Sequence, residues 1–317
     1  MKRIAIEEHF TTKESFHGSP VIGSGKNPDD ISNIPKRLQD MDESGIDMQV
    51  LSFVFNGESL EAGTAIGIVK RANDELAALV QQYPRRFAGF ASIALHDPAA
   101  AADELERAVT HLGLKGTMIF STYRGEYLDD QKYRVILERA EKLGVPVYLH
   151  PGHPPKDMIK PFMTYPILSG SMFGYAVETG LHAMRLICSG TFDRFPGLKI
   201  ILGHLGEGLP FWLWRMDNRW QREKDTVYNS DVASGKLLRR PSQYLKDNFY
   251  VSTSGMFWPP ALQFVQSVLG ADRIMFGVDY PQESSIEAVK AIESCSFSDA
   301  DKAKIFHLNA EKILAIK

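Results

Sequence analysis

The sequence predicts an α/β protein folded as a (β/α)8 TIM barrel with inserted βα loops. Three observations carry that expectation. About eight short apolar runs of β type alternate with helical patterns. Several of these runs are apolar on both faces, as the strands of a buried parallel sheet are. Two long irregular segments follow the first and fifth runs, where a barrel builds its binding loops. The chain has 317 residues. Barrels of more than ~250 residues often form one domain, so a single TIM-barrel domain over 1–317 is expected.

Residues 4–6 open the series, and the Gly-, Ser- and Pro-rich segment 11–32 follows as the first insertion. Residues 48–53 are the second run. Residues 61–82 then place Ala65, Ile66, Val69, Ala72, Leu76 and Leu79 at helical spacing. After the third run, 87–93, Asp97-Pro98 caps and starts a helix that Gly113 ends. Residues 116–120 come next, and Asp129 or Asp130 opens a helix that stops at Gly144. The fifth run, 145–149, leads into the second insertion, 151–172, which holds five prolines and two glycines. Runs at 198–202, 248–253 and 274–278 complete the set, with a short helix over 284–294. An open doubly wound sheet is the other architecture this alternation allows. Its dinucleotide-binding form lacks the G-x-G-x-x-G fingerprint after the first strand.

Composition excludes several classes. With 44% hydrophobic and 24% charged residues the chain can build a packed core. A net charge of −3 with no basic run argues against nucleic-acid binding. Two cysteines, Cys188 and Cys295, cannot make a disulfide framework or a cysteine zinc module. No apolar run reaches the ~18 residues that span a membrane, and Glu7 interrupts the first apolar stretch too soon for a signal peptide. A cytoplasmic location is therefore expected.

The chemistry concentrates at strand ends. Glu7-Glu8-His9 follows the first strand, His150 the fifth, His204 the sixth and Asp279 the eighth. In a barrel these ends converge on one mouth. Glu7 and His9, two apart in an extended segment, project from one face while Glu8 points away. A single His or Asp at a strand end is usually a satisfied polar residue. Four such ends together bring two carboxylates and up to three imidazoles to one place, a set suited to a divalent Zn²⁺, Mn²⁺ or Fe²⁺.

These residues also carry a resemblance. Glu7-Glu8-His9-Phe10, His150-Pro151, Gly203-His204-Leu205-Gly206-Glu207 and Phe276-Gly277-Val278-Asp279-Tyr280-Pro281 stand in the order of the amidohydrolase superfamily. The chain most resembles its aromatic-acid decarboxylase branch, which includes γ-resorcylate, 2,3-dihydroxybenzoate and 5-carboxyvanillate decarboxylases. The stretch from Glu178-Thr179 through His182 to Phe192-Asp193, and Leu209-Pro210-Phe211-Trp212 with Arg215, are similar to that branch. Hydrolytic relatives typically open with H-x-H, and this chain has E-x-H, as the decarboxylases do. Gln282, just after D-Y-P, departs from the aromatic residue that several members carry there.

The resemblance implies one divalent metal, Mn²⁺ or Zn²⁺, held by Glu7, His9, His150 and Asp279, with no organic cofactor. It implies loss of CO₂ from a small aromatic, ortho-hydroxylated carboxylic acid, with Asp279 as proton donor. His204, oriented by Glu207, is the competing donor or relay. Arg215 is read either as a surface cation or as a buried partner of Asp279 or Glu207. The alternative function is hydrolysis of a lactone or amide by a metal-activated water. His153 is a candidate substrate contact, and His182 a core hydrogen-bonder. His17, His96, His111 and His307 are read as structural or solvated. Trp212, Trp214 and Trp220 are read as core or as a subunit contact in a homo-oligomer, a dimer or tetramer.

Overall fold

The computed structural model describes residues 1–11, 32–53, 55–223 and 237–316. Most of the first insertion, with His17, lies outside the described residues. The eight strands are β1 (Ile4–His9), β2 (Met48–Ser52), β3 (Phe87–Phe90), β4 (Thr117–Phe120), β5 (Val147–His150), β6 (Ile200–Leu202), β7 (Phe249–Ser252) and β8 (Ile274–Met275). All adjacent pairs are parallel, in the runs β1-β2-β3 and β4 through β8. Two single bridges, Ala91 to Thr117 and Ile6 to Gly277, join these runs into a closed eight-stranded barrel. The expected fold is thus the observed one.

Alternation explains both the plug of the barrel and the site above it. Ile4, Ile6, Val50, Phe90, Met118, Tyr148, Ile201, Tyr250 and Met275 point inward and form one apolar cluster. Two residues further along the same inward columns stand His150 above Tyr148 and Ser252 above Tyr250. The apolar plug therefore ends where the polar layer begins.

The helices obey local rules. In α1 (Ile34–Ser44), Asn33 caps the first turn by accepting the Lys36 N–H, and Gly45 ends it at φ 69°. The long α2 (Ala62–Gln82) buries Ala65, Val69, Ala72 and Leu76 on one stripe. In α3 (Pro98–Thr110) the Asp97 carboxylate accepts from Ala99 and Ala100. The helix α4 (Arg134–Leu143) stops at Gly144, φ 68°. Then come α5 (Gly174–Cys188), α6 (Leu209–Glu223), α7 (Pro241–Asn248), α8 (Pro259–Leu269), α9 (Ser285–Ser294) and α10 (Asn309–Leu314). The second insertion is built of short helical turns, Lys156–Ile159, Lys160–Thr164 and Pro166–Ser169. Among the described residues no helix is long and apolar enough to cross a membrane. Cys188 and Cys295 are both free thiols.

Strand limits differ from the sequence reading in two instructive places. The first strand does not stop at Ile6 but continues to His9 through a bulge at Glu7, where φ is 71° and the register with β2 slips. The eighth keeps only two residues, and its continuation makes a single ladder bridge to β1, at Gly277. A Cβ on Gly277 would stand 2.5 Å from the Ile6 carbonyl oxygen, so the close approach needs glycine.

Candidate active site

His9, His150 and Asp279 each present one ligand atom, and these atoms all lie within 4.8 Å of one another. His9 Nε2 is 2.7 Å from Asp279 Oδ1. The rings of His9 and His150 meet edge to face, 5.0 Å between centroids. His150 Nδ1 is 2.9 Å from the Pro151 carbonyl oxygen. A carbonyl only accepts, so Nδ1 carries the hydrogen and Nε2 keeps its lone pair for the cluster. Burial, with His9 close by, pushes the His150 imidazole down to about 3, so it stays neutral.

Glu7 stands beside this trio. Its Oε2 accepts hydrogen bonds from the hydroxyls of Tyr148, Ser252 and Ser254. Its Oε1 is fully buried, has no hydrogen-bond partner, and lies 4.0 Å from His150 Nε2. A buried carboxylate oxygen left open beside His150, next to the His9–His150–Asp279 group, fits a divalent cation with N and O ligands. Two carboxylates and two neutral imidazoles would balance its charge. Tyr148, Ser252 and Ser254 were not found by sequence reasoning. Their signal was the inward column, since Tyr148 is two before His150 and Ser252 two before Ser254.

Glu8 points away from the cluster, as alternation requires. Its buried carboxylate accepts the backbone N–H groups of Val278 (3.0 Å) and Tyr280 (3.3 Å), which fastens β1 to the segment carrying Asp279. Burial pushes its carboxyl up to about 8, against these bonds and the nearby Arg37. Arg37 is itself fully buried. It donates to Gln49 Oε1 at 2.8 Å and to the His9 carbonyl, and lies 4.4 Å over the Tyr280 ring.

His204 follows β6 in a left-handed turn, φ 50°. Its Nδ1 is 2.8 Å from Glu207 Oε1. Burial works against the imidazolium, but Glu207, Glu7 and Asp279 outweigh it and push His204 up to about 10. Of the seven non-glycine residues with positive φ among those described, Glu7, His204, Leu205, Glu207 and Asp279 all sit at this mouth. Backbone strain of this kind is held by its surroundings where function requires it.

His153, Tyr175, His204, Glu207, Asp279 and Glu283 are among the residues lining a pocket of about 650 Å³ at the barrel mouth. His153, which the sequence offered as a substrate contact, is on its wall. Behind it, burial pushes the Glu178 carboxyl on α5 up to about 7, near Ser121, Tyr127 and Glu207.

Arg215 is not brought in. It is exposed on α6, whose buried stripe is Leu209, Pro210 and Leu213. Two residues past Leu213 turn about 200° away from the core, so Arg215 reaches neither Asp279 nor Glu207. Trp212 and Trp214 are 49% and 77% exposed, which excludes the core reading for both. His182 is buried in α5 and accepts the Leu128 N–H at 3.1 Å. His96 bonds the Gly57 carbonyl, His307 pairs with Glu311, and His111 is exposed; none lines the pocket.

The profile of the Amidohydrolase family matches residues 8–316. The sequence is 37% identical to a γ-resorcylate decarboxylase of Rhodococcus jostii, over 99% of this chain and 98% of that protein. The fold superposes on the crystal structure of 5-carboxyvanillate decarboxylase from Sphingomonas paucimobilis with a TM-score of 0.92 at 33% identity, covering 100% of this chain and 99% of that one. A second 5-carboxyvanillate decarboxylase, from Novosphingobium aromaticivorans, was crystallised with manganese and 4-hydroxy-3-methoxy-5-nitrobenzoic acid. It matches with a TM-score of 0.91 at 34% identity, covering 99% of this chain and 96% of that one.

Proposed function

The chain belongs to the amidohydrolase family, in its aromatic-acid decarboxylase branch, and from that premise we propose that it removes CO₂ from a small ortho-hydroxylated aromatic acid without oxidation. The observation that carries this reading is the open Oε1 of Glu7 among His9, His150 and Asp279, with the His204–Glu207 pair at the same mouth.

Glu7, His9, His150 and Asp279 would hold one divalent cation, and the manganese in the related 5-carboxyvanillate decarboxylase supports Mn²⁺ among the ions this set suits. Bound there, the cation supplies positive charge for the substrate carboxylate and its ortho oxygen. The remaining work falls to side chains. A proton must reach the ring carbon that bears the carboxylate. A C–H bond forms and aromaticity is lost; the C–C bond then breaks, its electron pair returns to the ring, and CO₂ leaves. No electron-sink cofactor is needed. Asp279 stands where the family resemblance puts the donor. His204, held as an imidazolium by Glu207, is the adjacent proton source that reloads Asp279 or acts in its place. The pocket walls orient the ring.

We also read the protein as a cytoplasmic homo-oligomer. Free thiols support the first point. The exposed aromatic face of Phe211, Trp212 and Trp214, with Phe264 6.2 Å from Phe211, supports the second. The deciding experiment is a screen of ortho-hydroxylated benzoates for CO₂ release, with Mn²⁺ and Zn²⁺ defined. Release of CO₂ and the matching phenol is expected. No CO₂ from any of them, together with lactone opening, would overturn the reading in favour of a hydrolase.

A further inference from the structure

The pocket has a second polar feature, nearer its opening. His153 is exposed, whereas His9 and His150 are buried. His153 Nδ1 lies 2.9 Å from the Ser169 carbonyl oxygen. The carbonyl only accepts, so Nδ1 bears the hydrogen and Nε2 presents a lone pair. Against that lone pair stands the Tyr175 hydroxyl, at a long 3.3 Å, with the two rings edge to face at 4.9 Å. The two residues come from different elements, the second insertion and α5, and both line the pocket.

A volume of about 650 Å³ is in the range that holds drug-sized ligands, so one benzoate ring leaves space toward the opening. A ring held by its carboxylate at the buried end therefore directs its far edge toward His153 and Tyr175. A hydroxyl on that edge suits them: it donates to Nε2 and accepts from the tyrosine O–H, replacing one long hydrogen bond by two. A second carboxylate does not suit them. It would meet a lone pair, in a pocket whose lining also includes the acid Glu283.

We propose that His153 and Tyr175 form a specificity-determining pair that reads a hydroxyl on the far edge of the ring, selecting monocarboxylic acids with a hydroxyl besides the ortho one. This rests on the decarboxylase reading for its substrate class. The test uses the Mn²⁺-loaded full chain. Dissociation constants are measured by calorimetry, and CO₂ release in parallel, for 2-hydroxybenzoate, its 4- and 5-hydroxy derivatives, and 2-hydroxyterephthalate. In the unmodified protein a dihydroxy acid should bind about ten-fold more tightly than 2-hydroxybenzoate, and the dicarboxylate more weakly. His153→Leu should bring the dihydroxy preference close to one, Tyr175→Phe should lower it by a smaller factor, and His153→Gln, which keeps an acceptor, should retain part of it. An unchanged preference in His153→Leu, no preference in the unmodified protein, or tightest binding of the dicarboxylate overturns the proposal. Binding preferences stand without turnover, so absence of CO₂ with the preference intact would sink the reaction and not the pair.

Discussion

Replacing Glu207 by glutamine separates charge from geometry at the proton source. In Glu207→Gln the amide carbonyl oxygen can still accept from His204 Nδ1 at about the present 2.8 Å, so the imidazole stays in place. What disappears is the negative charge, the first-ranked of the influences that raise His204 to about 10. With a cation balancing Glu7 and Asp279, little else would hold the imidazolium against its burial, and His204 should fall to its ordinary 6.5 or below. The sign is that of a raised histidine: the charged form is present at low pH and lost as pH rises through the new value. At pH 8 no more than ~3% of the imidazole would then be protonated, a loss of at least about thirty-fold, while at pH 6 a far larger share, up to about three quarters, would remain. The assay is kcat for CO₂ release from pH 5.5 to 9 at saturating Mn²⁺ and substrate. The alkaline limb should move toward acid, with a large deficit at pH 8 and a smaller one at pH 6. A variant equally impaired at both pH values, or one with the unmodified limb, refutes the charged relay.

Asp279→Asn should lower turnover at least about 100-fold with the fold intact, because asparagine tolerates the positive φ of 77°; circular dichroism and CO₂ release check both halves. Stripping the protein with a strong chelator should abolish activity and lower the melting temperature, and Mn²⁺ at about 100 times its dissociation constant should restore ~2.7 kcal/mol of stability; a melting curve indifferent to Mn²⁺ contradicts the site. Glu178→Gln should stabilise the fold near neutral pH. Its acid is raised from 4.5 to about 7, so the native state holds the proton longer and stability falls as pH rises across that window; at ~1.4 kcal/mol per tenfold change in proton affinity the gain above pH 7 is on the order of 3 kcal/mol. Urea titrations at pH 5 and 8 should show a gain under ~1 kcal/mol at the first and the full gain at the second. Arg37→Leu should cost about 3 kcal/mol, since it leaves the buried Gln49 Oε1 and the His9 carbonyl without their donor; a cost under ~1 kcal/mol in urea would be inconsistent with that account.

The barrel and the polar ends of strands one, five, six and eight were legible because short runs, several apolar on both faces, stop there on charged or imidazole side chains. Glu7, His9, His150 and Asp279 carry that signal in their immediate neighbours. The bulge at Glu7 left none, since one extra residue in a strand changes no composition. The hydroxyls that fasten Glu7 were hidden for another reason: Tyr148 and Ser252 are 141 and 245 residues away from it, and only ring closure makes them neighbours. The two readings of Arg215, surface cation or buried partner, differ by helix phase, a rotation about α6 that the motif alone does not specify; the structure takes the first. The exposed Trp214 shows the same limit, for an aromatic residue on a helix can face either the core or a partner.

The bridge between Ile6 and Gly277 joins the two ends of the chain, and the acids and imidazoles of the centre hang on either side of it. During synthesis the amino-terminal half must therefore wait, its Glu7 and His9 already made, until residue 279 leaves the ribosome. A chain cut short before that point carries every ligand but one and no ring to hold them. An ion captured across this junction would act as a clasp, so that starving cells of the metal should leave newly made copies easier to pull apart at this seam.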